Sequence, residues 1–181
     1  MPEQSQILEA EREIENDNFA RAHQLLQPLV EQGNARETYL AGTIGKAGES
    51  RGEFDKRHVE SVKLAASRGD AEAIYRLGYF FDCGDFGFEM DSKRASELFK
   101  KAADLGHLRS KWIHACELLW GMGSYDQNIH EGLKYLDQSV NGNFEEALET
   151  LARIYEGGEF GFERSAQRAT ELRKRKDSEN D

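Results

Sequence analysis

The nine residues CGDFGFEMD, Cys83 to Asp91, return as GGEFGFERS, Gly157 to Ser165. The copies lie 74 residues apart, and their flanks align at the same offset. AIYRLGYFFDCG (Ala73 to Gly84) falls on ALETLARIYEGG (Ala147 to Gly158), and KRASELFKKAAD (Lys93 to Asp104) on QRATELRKRKD (Gln167 to Asp177). That offset is two periods of 37, so a middle copy is required near Ser110. SKWIHACELLWG, a loop to Asn128 and HEGLKYLDQSV supply it. A weaker copy, ETYLAGTIGKAG with RHVESVKLAA, precedes it, and RAHQLLQPLVEQG adds one further second helix. A period of this length marks a repeat architecture, in which the unit is supersecondary structure and not a catalytic loop.

Each copy reads as two amphipathic helices. In the first, Ala73, Leu77, Gly78 and Phe81 form one stripe at period 3.6, matched by Ser110, His114, Ala115, Leu118 and by Ala147, Leu151, Ala152, Tyr155. In the second, Ala95, Leu98, Phe99, Ala102 and Ala103 do the same. Helices this short do not fold alone, so stacked neighbours must supply the core. The small residue recurring at Gly42, Gly78, Ala115 and Ala152 predicts a close helix crossing. EQGN, SRGD, DLGH and VNGN (beginning at Glu31, Ser67, Asp104 and Val140) read as left-handed helix ends. Asp91, Asn128 and Ser165 stand where second helices start and can cap them. Phe86, Phe88, Phe160, Phe162 and, in the middle copy, Tyr125 are expected to fold back over the helix pair.

The pattern LG-x5-G, a loop, Asp, then A-x6-AA-x2-G, from Leu77 to Gly106, resembles the Sel-one-like repeat family, a relative of the tetratricopeptide repeats. The resemblance covers about residues 18–176. His114 replaces the usual leucine, His58 the usual small residue, and the third loop loses its Gly-Phe pair. The resemblance implies an all-α fold, a right-handed superhelical solenoid of antiparallel helix pairs. Residues 1–181 then form a single solenoid, with a degenerate pair at about 5–33 and units at about 34–69, 70–106, 107–142 and 143–177. Its implied use is as a scaffold or adaptor for proteins or peptides.

Composition limits the function classes. The 181 residues are 38% hydrophobic and 32% charged, with a net charge of −10 and two prolines. That charge disfavours nonspecific nucleic-acid binding, which rests on Lys and Arg releasing counterions. A basic partner fits better. Residues 1–17 hold Glu3, Glu9, Glu11, Glu13, Glu15 and Asp17 against Arg12, read as a solvated helix face. No basic-then-apolar leader and no stretch of about 20 apolar residues is visible, so a cytoplasmic chain without membrane contact is expected. Cys83 and Cys116 are read as structural thiols. The basic run Arg173 to Lys176 is read as the end of the last helix, where cations favour the dipole.

Catalytic chemistry finds no support in the spacing. GDFG and GEFG follow no strand and match no phosphate-cradling loop. His23, His58, His107, His114 and His130 sit in different units without metal-ligand spacing, and His114 and Cys116 face different sides of a helix. No catalytic residue, metal or cofactor is therefore expected. In stacked helix pairs the first helices line a concave groove. The partner-binding residues expected there are Arg36, Tyr39, Tyr75, Tyr79, Arg109, Trp112, Trp120, Glu149 and Arg153, an aromatic middle with charged ends. Cys116, Leu119, Glu146 and Glu156 are placed on the same face, and at least one tryptophan is expected to be exposed. The leading reading is a non-enzymatic module gripping one protein or peptide, such as a stoichiometric inhibitor or immunity protein against a basic toxin. A regulatory adaptor or assembly scaffold is the alternative, and a hydrolase of cell-wall or β-lactam ligands a second one. Oligomeric state is left open.

Overall fold

The computed structural model describes residues 2–177. Among them lie ten α-helices: α1 (Pro2–Glu15), α2 (Phe19–Glu31), α3 (Ala35–Thr43), α4 (Arg51–Ser67), α5 (Ala71–Cys83), α6 (Ser92–Asp104), α7 (Leu108–Trp120), α8 (Ile129–Asn141), α9 (Glu145–Gly157) and α10 (Ala166–Asp177). The chain divides into two compact units, residues 1–91 and 92–181. The division falls between α5 and α6, the two helices of the expected 70–106 unit. In the first unit, α1 packs on α2, α2 on α3, α3 on α4 and α4 on α5. In the second, α6 packs on α7, α7 on α8, α8 on α9 and α9 on α10.

Two backbone hydrogen bonds recur with the period. The first closes the long loops after α5, α7 and α9: the N–H groups of Asp91, Asn128 and Ser165 donate to the carbonyls of Phe81, Leu118 and Tyr155 at 2.9, 2.8 and 2.9 Å. The second closes the short turn after each second helix. There Asn34, Asp70, His107 and Phe144 donate to Leu29, Ala65, Ala102 and Ser139 at 3.1, 3.1, 3.0 and 3.1 Å. Each satisfies a carbonyl that the helix end would leave without a partner.

The short turns use a left-handed residue at Gly33, Gly69, Gly106 and Asn143, with φ of 90, 93, 99 and 57°. The glycine of VNGN is therefore not the left-handed one, because Gly142 keeps φ −81°. Its role is steric: a Cβ there would stand 2.7 Å from Leu108 Cδ1. Asparagine tolerates the left-handed region better than most residues, so it takes over the turn.

The long loops share one backbone. Gly84, Gly121 and Gly158 take φ of 69, 64 and 70°, and two residues on, Phe86, Gly123 and Phe160 take 55, 63 and 53°. The loop after α7 thus keeps the turn while losing the phenylalanine. The rings do fold back: Phe86 lies 4.8 Å from Phe80, Phe88 4.8 Å from Phe81, Phe162 5.0 Å from Tyr155 and Tyr125 4.7 Å from His114. Asn128 and Ser165 cap α8 and α10 by accepting from the N–H groups of Glu131 and Arg168.

The buried arc of the first helices is wider than the single stripe the periodicity suggested. Ile74 and Phe80, absent from that stripe, are 0% and 1% exposed, whereas Phe81 is only half-buried. A helix with neighbours on two sides buries residues toward both.

Close crossing is clearest at Gly42, where a Cβ would fall on Ser61 Cβ and stand 2.7 Å from its Oγ. Alanine would gain about 1 kcal/mol of helix propensity, but overpacking of this kind costs about 1–3 kcal/mol. Because the obstructing atom is anchored to the α4 backbone, the clash wins. Gly42→Ala is expected to lower stability by roughly 1 kcal/mol in urea unfolding, with recovery in Gly42→Ala/Ser61→Gly.

Candidate functional site

The nine expected contact residues divide between the units. In the first, Arg36 and Tyr79 are exposed, but Tyr39 and Tyr75 are only 6% and 8% exposed. Tyr39 is covered because its hydroxyl reaches Glu72 on α5 at 3.3 Å and the Arg36 guanidinium lies 5.6 Å from its ring. Burial raises the Tyr39 hydroxyl's pKa, and the Glu72 charge adds to the effect. Arg76, not among the expected residues, pairs with Glu72 at 3.3 Å and lies 5.7 Å from the Tyr75 ring. On this face Tyr39 and Tyr75 form a packed wall, while Arg36 and Tyr79 remain exposed.

In the second unit, α7 and α9 are laced together. Arg109 pairs with Glu146 at 3.4 Å and lies 5.3 Å from the Phe144 ring. Trp112 is half-buried, donating Nε1–H to Thr150 Oγ1 at 2.9 Å, with Phe144 5.9 Å away. Trp120 is 42% exposed, its ring edge-on to Phe160 at 5.4 Å. Leu119, placed on the open face by helical register, is 0% exposed instead. It packs beneath Gly132, whose Cβ position lies 2.8 Å from Leu119 Cγ. Burial pushes the Cys116 thiol up to about 12, so it is no nucleophile at neutral pH.

Glu149 accepts from both Arg173 and Arg153, and Arg173 spans to Glu156 at 2.6 Å. Arg173 is the main reason the Glu149 carboxyl is held down to about 2. Arg175 donates to the Val140 carbonyl at the end of α8, at 3.1 Å. The basic run at the C-terminus is thus partly consumed inside the fold. The Lys176 side chain lies outside the described residues.

One polar constellation is buried. Glu117 on α7 binds Ser96 on α6 through one oxygen and His114 Nδ1, at 3.2 Å, through the other. Ser96, His114 and Glu117 are 2%, 1% and 8% exposed. The carboxylate stands between hydroxyl and imidazole, so the serine does not meet the histidine and the set lacks the order of a Ser-His-Asp triad. The equivalents of Glu117 are Phe80 and Ile154, which the single-stripe reading left out. Comparing those three positions would have exposed the carboxylate as a core residue.

A cleft of about 570 Å³ in the first unit is lined by Asp17, Asn18, Phe19, His23 and Lys46, among others. His23 Nε2 is buried there without a hydrogen-bond partner, and burial lowers the ring's pKa. Opposite charges at Asp17 and Lys46 give the cleft no clear ligand preference. Among the described residues, no three His, Cys, Asp or Glu side chains gather as a metal site would require. No described helix is long and apolar enough to cross a membrane.

Comparison with known proteins identifies the repeat. The Sel1 repeat model matches residues 71–107 and 114–144. Those two segments are Sel1 repeats. Such repeats are all-α, related to the tetratricopeptide repeats, and generally mediate protein binding. A Sel1 repeat protein from Oxalobacter formigenes shares the fold with a TM-score of 0.68 at 21% identity, covering 86% of this chain and 61% of that one. The protective antigen c5321 of uropathogenic Escherichia coli, which displays the same fold, matches with a TM-score of 0.68 at 19% identity, over 89% of this chain and 34% of that one. Chitin synthase regulatory factor 2 of Schizosaccharomyces pombe is 32% identical over 101 residues, or 56% of this chain. The chain spans only 20% of that relative's length.

The Glu149 pairing has a pH signature. A carboxyl held below its ordinary 4.5 contributes stability above that pH, which is lost as pH falls toward about 2. Glu149→Gln is expected to lower the urea midpoint at pH 6 and to shrink the difference between pH 6 and pH 3. An unchanged difference would mean that the Arg173 pairing adds nothing to stability.

Proposed function

We propose that this Sel1 repeat chain is a non-enzymatic, cytoplasmic interaction module that binds one protein or peptide through its first-helix faces. The observation that carries this reading is the unit 92–181 surface, where Trp120 stands exposed beside Phe160 and charged side chains of α7 and α9 are paired to one another. Binding hot spots have this composition, with an aromatic anchor inside a polar rim. Arg109, Trp112, Trp120, Glu149 and Arg153 form the proposed contact set there. Arg36 and Tyr79 form that of the first unit, with Tyr39 and Tyr75 as their support. Free thiols at Cys83 and Cys116 accord with a reducing compartment.

Two finer readings are distinguished by charge. The net charge of −10, most of it in residues 1–91, favours a basic partner and so a stoichiometric inhibitor of a basic protein. The likeness to a protein named as a regulatory factor favours a regulatory adaptor, and we prefer this second reading because it rests on a related sequence. The hydrolase reading gains nothing from Ser96, Glu117 and His114, because the buried serine donates to Glu117 and not to His114, so the serine–imidazole contact of a triad is missing.

Capture of the partner from the native host, followed by titration with purified protein, tests the module. Trp120→Ala is expected to weaken binding about 30-fold, equivalent to about 2 kcal/mol, with the helical circular-dichroism signal retained. Affinity falling steeply with salt would mark the inhibitor, and a shallow dependence the adaptor. Turnover of a substrate abolished by one side-chain change would overturn the non-enzymatic reading.

A further inference from the structure

Three positions spaced by 37 residues hold Phe80, Glu117 and Ile154, and three others hold Leu77, His114 and Leu151. Phe80 and Ile154 are 1% exposed, so Glu117 occupies what is elsewhere an apolar core site. A buried carboxylate is costly unless its oxygens are satisfied. Both are satisfied here, by Ser96 and His114.

The loop above explains the exchange. In the first unit the Phe86 ring rests on Phe80 at 4.8 Å. In the middle copy Gly123 replaces that phenylalanine, and the glycine comes down directly on the polar pair. A Cβ there would stand 2.7 Å from Glu117 Oε1 and 2.8 Å from Ser96 Oγ. Stacking of one aromatic on another is thereby replaced by a backbone seated on a hydrogen-bonded carboxylate. Other bonds converge on the same turn of helix. Met122 donates to the Glu117 carbonyl at 2.9 Å, Gln127 Nε2 to the Leu119 carbonyl at 2.7 Å, and the Tyr125 ring lies 4.7 Å from His114. His114 is also flanked by Tyr135 at 4.9 Å, whose hydroxyl is bound to Asp104. At the root of this loop stand Trp120, 42% exposed, and Met122, 48% exposed.

We infer that Glu117 is a positioning residue: by holding Ser96 and His114 together it seats the 121–128 loop, and so sets the orientation of Trp120 and Met122 on the binding face. The use of that face rests on the function proposed above, whereas the seating of the loop does not.

The test compares Glu117→Ile, which restores the apolar residue of the neighbouring repeat, with Glu117→Gln, which keeps the shape and an accepting oxygen. Amide hydrogen exchange of residues 121–128 reads the seating directly, and Trp120 emission in a Trp112→Phe background reads the orientation. Glu117→Ile is expected to retain its helical signal, to speed exchange across the loop about tenfold and to shift the emission, with Glu117→Gln close to the wild type. Ser96→Ala, which removes one bond and little volume, is expected to speed loop exchange too and keeps the test valid if the isoleucine variant does not fold. Unchanged exchange and emission in a folded Glu117→Ile or Ser96→Ala protein would overturn the inference. Titration of the captured partner against the same variants separates the two readings. Faster exchange with unchanged affinity upholds the seating and counts against Trp120 as an anchor.

Discussion

The backbone hydrogen bonds from Asp91 to Phe81, Asn128 to Leu118 and Ser165 to Tyr155 set the geometry on which the other contacts depend. Each returns the chain to the last turn of a first helix and fixes where the second helix begins. Helices of 12 or 13 residues, such as α5 and α10, are marginal in water and persist through burial against neighbours. That burial requires every pair to reverse at the same place. The bonds from Asn34, Asp70, His107 and Phe144, which close shorter turns, do the same between pairs. Side chains can then vary widely from copy to copy, because the reversals are made by backbone groups.

This tolerance explains how polar residues entered the core of the second unit. Once Gly123 replaces phenylalanine in the loop, its site in the backbone is preserved but the ring is gone. Glu117, Ser96 and His114 occupy that region as a hydrogen-bonded set, with Tyr125 closing it. Replacing one member alone leaves another buried polar group unsatisfied, which commonly costs about 1–3 kcal/mol.

Charge on α7, α9 and α10 is partly paired within the fold. Arg109 is held by Glu146, and Arg173 by Glu149 and Glu156. Exposed pairs of this kind contribute little to stability singly, but they orient long side chains. Recognition by such a face depends on apolar contact and shape, with net charge acting mainly on the approach of a partner.

The period, the two-helix unit, the loop turns and the all-α class were legible in the sequence, because they depend on local spacing: apolar residues at 3.6, glycines where φ is positive, and capping side chains at helix starts. Tertiary packing decided what local spacing cannot carry. It placed Tyr39 and Tyr75 in the wall of the first unit and Leu119 under Gly132, because a stacked helix is buried from more than one side and its register shows only one. It put the left-handed residue at Asn143, one period after Gly106, and left Gly142 against Leu108. It also turned Glu117 inward, since whether a carboxylate faces water or a core depends on the serine, histidine and glycine brought around it by other elements.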